Sequence, residues 1–270
     1  MRNIYKTEEY FEHQIDEVQG SYDRSIVKLA NPDITEQAKQ NRLSILAEVD
    51  LDRSLILYNI GKPLDHVIEH MRSGLHKMMD MFDYASTTDL PFHQKRILTN
   101  TRRFNLFPLL VLCDARKELC HRYIEMSLRK DMSVEYDHET DEADYAPEPI
   151  RISPLINEFA KYFGYDVPPE NVAPRCYLES FEAPIYECFT CHEGRHQEIL
   201  TNYVTNWAKT GQKDEKFYIK SEHENPKNKY FTGYWCFMGA AVAKVLNIDD
   251  SPLRDHPDYP YELVHYKEYC

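Results

Sequence analysis

The sequence predicts an all-α fold, two helical units packed together and joined by an acidic, proline-containing segment. Three observations carry the prediction. Glycine is scarce, with 8 in 270 residues, while Leu, Ala, Glu, Lys, Arg and Met are frequent, a mixture that favours helices over a turn-rich β fold. Apolar residues recur at intervals of three to five along most of the chain, the spacing of a helix face. No pair of alternating apolar runs flanks an Asn-Gly or Asp-Gly turn, so little supports a sheet.

Residues Ile4 to Ala30 form a first predicted helix, stopped by Asn31-Pro32. Thr35 to Ile60 is a second, with Leu43, Leu46, Leu51, Leu55 and Tyr58 on its apolar stripe. Gly61 suits the position just past its end, and Pro63 prevents continuation. Leu64 to Tyr84 is a third helix and Phe92 to Arg102 a shorter one. Leu106 to Leu128 is strongly apolar and reads as one central helix. Beyond the acidic segment, Ser153-Pro154 has the look of an N-cap followed by proline at the first helical position. That helix runs to Tyr162 or Phe163 and ends at Gly164. Glu179 to Lys209 is mostly helical with a break near Pro184. Tyr230 to Leu246 is rich in small residues and is capped by Asn247. Ser251-Pro252 restarts a short turn, and Pro257 and Pro260 break any helix beyond it. The expected organisation is a helical domain at 1–130, an acidic linker at 131–150 and a second helical domain at 151–270.

Charge narrows the function. The net charge is −13, which makes a nucleic-acid binder a poor reading and a basic protein a reasonable partner. The imbalance is concentrated: Asp131, Glu135, Asp137, Glu139, Asp141, Glu142, Asp144 and Glu148 share one stretch with no Lys or Arg. Such a block reads as a solvated linker, with a contact strip as the second reading. The best apolar run, Leu106 to Cys113, is short and contains Pro108, so no membrane span is expected. The N-terminus MRNIYKTEEYFEHQ has no apolar core of a signal peptide. With seven irregularly spaced cysteines, this predicts reduced thiols and a cytoplasmic location. No phosphate-binding glycine loop and no G-x-S-x-G elbow occurs, and no cofactor is expected.

The stretch CFTCHEGRH, residues 188–196, invites several chemistries. It fits the haem-attachment pattern C-x-x-C-H, the zinc-peptidase pattern H-E-x-x-H and a structural metal cluster. On one continuous helix from Ile185 to Trp207, His192 and His196 lie on or beside the face of Ile185, Phe189, Leu200, Tyr203 and Trp207. The pair is then able to hold zinc with Glu193 activating water, given a third ligand such as Glu215 or Glu222. Gly194 and Arg195 are poor inner residues for that motif. The favoured reading is an ordinary helix with two partly buried histidines, and a helical zinc hydrolase remains the alternative.

The most ordered pattern is YFTGYWCFMGAAVAKVLNIDDSPLRDHPDYPYELVHY, Tyr230 to Tyr266. It resembles the C-terminal domain of the PoNi immunity proteins, which protect bacteria against PoNe DNase toxins. The segment LDRSLILYNIGKPLDHVIEHMRSGLHKMMDMF, Leu51 to Phe82, is similar to that family's N-terminal helical domain. One departure is visible: an acid commonly follows the aromatic that Phe237 matches, and this chain has Met238. The resemblance implies a non-enzymatic, cytoplasmic protein that binds a cognate DNase delivered by a type VI or type VII secretion system. Its expected partner is a PoNe-like basic toxin, with no metal, no direct nucleic-acid contact and no membrane. The expected contact residues are Glu139, Asp141, Glu142, Asp144, Asp249, Asp250, Asp255 and Glu262. Tyr234, Trp235 and Tyr259 are expected in the core. A helical module for some other basic partner is the third reading.

Overall fold

Threonine and serine open the helices. In the computed structural model, which describes residues 1–132, 150–213 and 231–267, Thr7, Thr35, Thr99 and Ser153 each accept a backbone N–H three residues ahead, all at 3.3 Å. These bonds satisfy donors that a helix start leaves orphaned. The helices are α1 (Glu8–Leu29), α2 (Glu36–Ile60), α3 (Leu64–Thr87), α4 (Asn100–Leu112) and α5 (Lys117–Ser127). They continue with α6 (Pro154–Tyr162), α7 (Ala183–Thr190), α8 (His196–Lys213), α9 (Phe237–Leu246) and α10 (Tyr261–Val264). Among the described residues there is no strand, only an isolated parallel bridge between Ile152 and Val172, so the all-α class holds.

The second and third helices form the frame. Gly61 ends α2 at φ 91°, a left-handed conformation that costs glycine little, and the chain turns straight into α3. The two helices pack so closely that a Cβ on Gly74 would lie 2.9 Å from the backbone nitrogen of Leu51. Helix α1 covers the outer side of α2 through Phe11, Val18, Val49, Ile56 and Ile60. The main core joins α3, α4 and α5 to α6, α8 and α9, with Met71, Phe82, Phe107, Tyr123, Phe159, Leu200 and Ala241 all buried in it. One continuous apolar cluster therefore draws on residues from both sides of the acidic stretch.

The apolar run Leu106 to Leu128 is two helices, not one. Asp114 takes φ 48° and the chain turns between α4 and α5. The reason is tertiary. Lys244 of α9 donates to the carbonyl of Leu112 at 3.2 Å and pairs with the Asp114 carboxylate at 2.7 Å. Arg72 of α3 donates to the carbonyls of Cys113 at 2.8 Å and Asp114 at 3.2 Å. Two distant cations thus satisfy three helix-end carbonyls, and local apolar periodicity is overridden. The predicted short helix at Phe92 to Arg102 is likewise replaced by one 3₁₀ turn, Phe92–Gln94, and the start of α4.

The N-terminus and the C-terminal tail meet. Asn59, fully buried in α2, accepts the indole N–H of Trp235 at 2.8 Å and donates to the carbonyl of Thr232 at 3.0 Å. It also accepts from the side chain of Asn3 at 3.3 Å. The Tyr5 hydroxyl donates to Asp258 at 2.9 Å, and the Tyr266 hydroxyl to Asp65 at 3.0 Å. Residues 231–236 are therefore not the first turns of a helix, as the sequence suggested; they run irregularly and bond to α1, α2 and α8 through Phe231, Thr232, Tyr234 and Trp235. No helix among the described residues is long and apolar enough to cross a membrane.

Candidate partner-binding surface

The CFTCHEGRH stretch folds as a joint between two helices. Helix α7 ends at Thr190, residues Glu193–Arg195 make a 3₁₀ turn, and α8 begins at His196. Pro184 lies in the first turn of α7, so it starts that helix rather than breaking it. The helical i and i+4 spacing that zinc chemistry needs is consequently lost between His192 and His196. His192 is exposed rather than core-facing, and His196 is half-buried. Among the described residues, no three His, Cys, Asp or Glu side chains gather in a metal-binding arrangement. Glu215 and Glu222 lie outside the described residues.

Arg195 explains the joint better. Its guanidinium pairs with Glu187 at 3.1 Å on the last turn of α7 and with Glu198 at 3.7 Å on the first turn of α8. Cys188 is buried beneath, and burial pushes its thiol up to about 12. Cys113 and Cys176 are raised to the same level by the same cause. The six described cysteines are all free, and these buried ones are packing residues, not nucleophiles.

Beside this joint lies the loop after α9. Asn247 closes α9 at φ 49°, and the N–H of Ile248 reaches back to the carbonyl of Ala243 at 2.9 Å. Asp249 then accepts the backbone N–H of Ser251 at 3.1 Å, which starts the 3₁₀ turn Ser251–Leu253. Hydrogen bonds from Ser251 hold its carboxyl below the ordinary value. Gln197 of α8 donates to the carbonyl of Asp249 at 2.9 Å and to its carboxylate at 3.2 Å. The acidic loop is thereby tied to the start of α8, close to Arg195, Glu187 and Glu198.

The expected contact acids separate by burial. Asp249 and Asp255 are exposed. Glu262 is exposed too, and Arg2 from the N-terminus donates to it. Asp250 is different: at 2% exposure it accepts from Tyr259 at 2.8 Å and is bonded to His265 at 2.8 Å. Burial, then the Asp250 charge, drives the Tyr259 phenol well above its ordinary value. Asp250 is a buried brace between the loop and α10 and offers no free carboxylate to a partner. Adjacent acids in sequence differ here because Asp249 caps one turn at the surface while Asp250 is buried against Tyr259 and His265. Glu139, Asp141, Glu142 and Asp144 lie outside the described residues. Tyr234, Trp235 and Tyr259 are buried, as expected, and Met238 is buried in α9.

Two acids carry no signature in the sequence patterns above. Asp52, half-buried on α2, has its carboxyl pushed up to about 7 by burial and, secondarily, by the charge of Glu48. Glu182, just before α7, is pushed up to about 7 by burial, although it accepts the N–H of Tyr177 at 3.1 Å. The available signal was their setting: Asp52 follows Leu51 and precedes Leu55 on an apolar stripe, and Glu182 follows Phe181.

The family comparison agrees with this C-terminal architecture. Residues 159–263 match the family described as PoNe immunity proteins (PoNi), C-terminal. That span runs from α6 through the loop of Asp249 and Asp250 to α10. No curated protein and no solved structure is significantly similar to the chain. The buried Asp250 brace, the small-residue helix α9 and the aromatic segment before it all lie within that span, and over residues 159–263 the chain is similar to the C-terminal region of the PoNi immunity proteins.

Proposed function

We propose that this chain is an immunity protein that binds and neutralises a cognate antibacterial DNase toxin of the PoNe type. The observation that carries the reading is the family match over residues 159–263. The physical chemistry supports it. A DNase must present a cationic surface to phosphates, and a chain of net charge −13 is attracted to such a surface. Steering by charge speeds encounter, while desolvated anchors hold the complex. No chemistry is required of the immunity protein, because covering the nuclease suffices.

The finer proposal is that it acts in the cytoplasm, where the DNA to be protected lies, against a toxin delivered by a type VI or type VII secretion system. Residues 1–130 act as the N-terminal helical unit, 131–150 as the acidic joint and 151–270 as the C-terminal unit. Asp249, Asp255 and Glu262 supply exposed charge on the C-terminal side. Glu139, Asp141, Glu142 and Asp144 supply it from the joint. The test is co-expression with the cognate DNase, which this reading expects to be encoded beside this gene. Cells carrying both are expected to grow as well as cells carrying neither. Death of the co-expressing cells, with both proteins present, would refute the reading.

A further inference from the structure

An aromatic cavity of about 390 Å³ opens between α2, α4 and the segment leading into α9. Phe104, Trp207, Trp235 and Phe237 line it together with Leu55. One carboxylate lies among them, that of Asp52. It has no hydrogen-bond or ion-pair partner among the described residues. Asp52 also borders a second hollow of about 250 Å³, lined by Arg24, Lys28, Arg42 and Glu48, and none of those cations pairs with it.

We infer that this cavity receives one arginine or lysine side chain of the basic toxin, gripped by the Asp52 carboxylate between the aromatic walls. The inference rests on the immunity reading and names an anchor for it. A carboxylate left alone against apolar walls is unfavourable, and an incoming cation removes that cost. Indole and phenyl faces attract cations as well, most strongly once water is excluded. Arginine in a desolvated aromatic pocket is a recurrent hot spot of tight interfaces. Burial and the Glu48 charge hold the Asp52 carboxyl high in the free protein, and a guanidinium or ammonium arriving beside it would relieve both effects.

The test measures binding of the full chain to the co-encoded toxin, rendered inactive at its nuclease site, by calorimetry. Asp52→Asn keeps shape and removes the charge. It is expected to melt no lower than the parent while its affinity falls roughly tenfold or more. Asn105→Arg, at an exposed residue on the cavity lining, is expected to weaken binding similarly by placing the chain's own guanidinium there. Asp16→Asn, at an exposed acid of α1 outside the proposed contact set, is the charge control and should change affinity no more than about threefold. If the parent binds and Asp52→Asn binds equally well, the cavity is not the anchor, although the immunity reading stands. If the parent does not bind, both fail. A parent whose melting rises with argininamide, while toxin affinity ignores Asp52→Asn, would assign the cavity to a small amine and overturn the proposal.

Discussion

Asn59→Ala is expected to loosen the chain's first residues and its C-terminal aromatic segment together. The wild-type amide, itself without solvent exposure, holds Trp235 at 2.8 Å, Thr232 at 3.0 Å and Asn3 at 3.3 Å. Alanine removes the partner and leaves the buried Trp235 indole N–H and the half-buried Thr232 carbonyl without it. Each such orphan costs about 1–2 kcal/mol, so the variant should lose about 3 kcal/mol. That is a large fraction of the ~5–15 kcal/mol typical of a folded domain. Urea unfolding followed by far-UV circular dichroism and by tryptophan fluorescence gives the number. Both probes should shift together with an unchanged slope, since one continuous core joins the two halves. The double variant Asn59→Ala, Trp235→Phe should cost less than the sum of the singles, by about 1 kcal/mol, because the orphaned N–H is then gone. A loss below about 1 kcal/mol, or strict additivity, would refute the hub.

Other perturbations have equally definite outcomes. Gly74→Ala pushes a methyl against the backbone of Leu51 and should cost about 1–3 kcal/mol in the same urea assay. Asp250→Ala strips the buried brace from Tyr259 and His265 and should cost about 2–4 kcal/mol, whereas Asp255→Ala on the open surface should stay within about 0.5 kcal/mol. Asp52 carries a pH signature. Its folded carboxyl is raised from 3.8 to about 7, so its stabilising protonated state is fully present below pH 3.8 and lost as pH rises through 7. Asp52→Asn should therefore gain about 1–2 kcal/mol at pH 8 over the parent, a value kept below the full shift because the carboxyl borders an open cavity, and should gain little at pH 4. Thermal melts at the two pH values check it, and an equal effect at both would contradict the assignment.

Local chemistry explains what was legible in the sequence. Ser153-Pro154, Gly61 before Pro63, and Asn247 each act within a few residues, and each performs in the structure the capping role that its type predicts. The tail motif was legible for the same reason, since its turns and caps are encoded in order. The breaks at Asp114 and at Cys191 to Arg195 were not. The first depends on Lys244 and Arg72, far away in sequence, and the second on Arg195 bridging Glu187 and Glu198 around a turn. Apolar periodicity runs straight through both places. His192 was misplaced because a helix face drawn through the joint carried it inward. The cavity at Asp52 needed the fold itself, because its walls come from α2, α4, α8 and the segment before α9.

The most direct measurement is inhibition of the co-encoded nuclease by the purified full chain. Plasmid DNA cleavage should stop at one equivalent of the protein, with the complex persisting through gel filtration and weakening as salt is raised. Cleavage that continues at tenfold excess, with both proteins folded and no complex formed, would contradict the account.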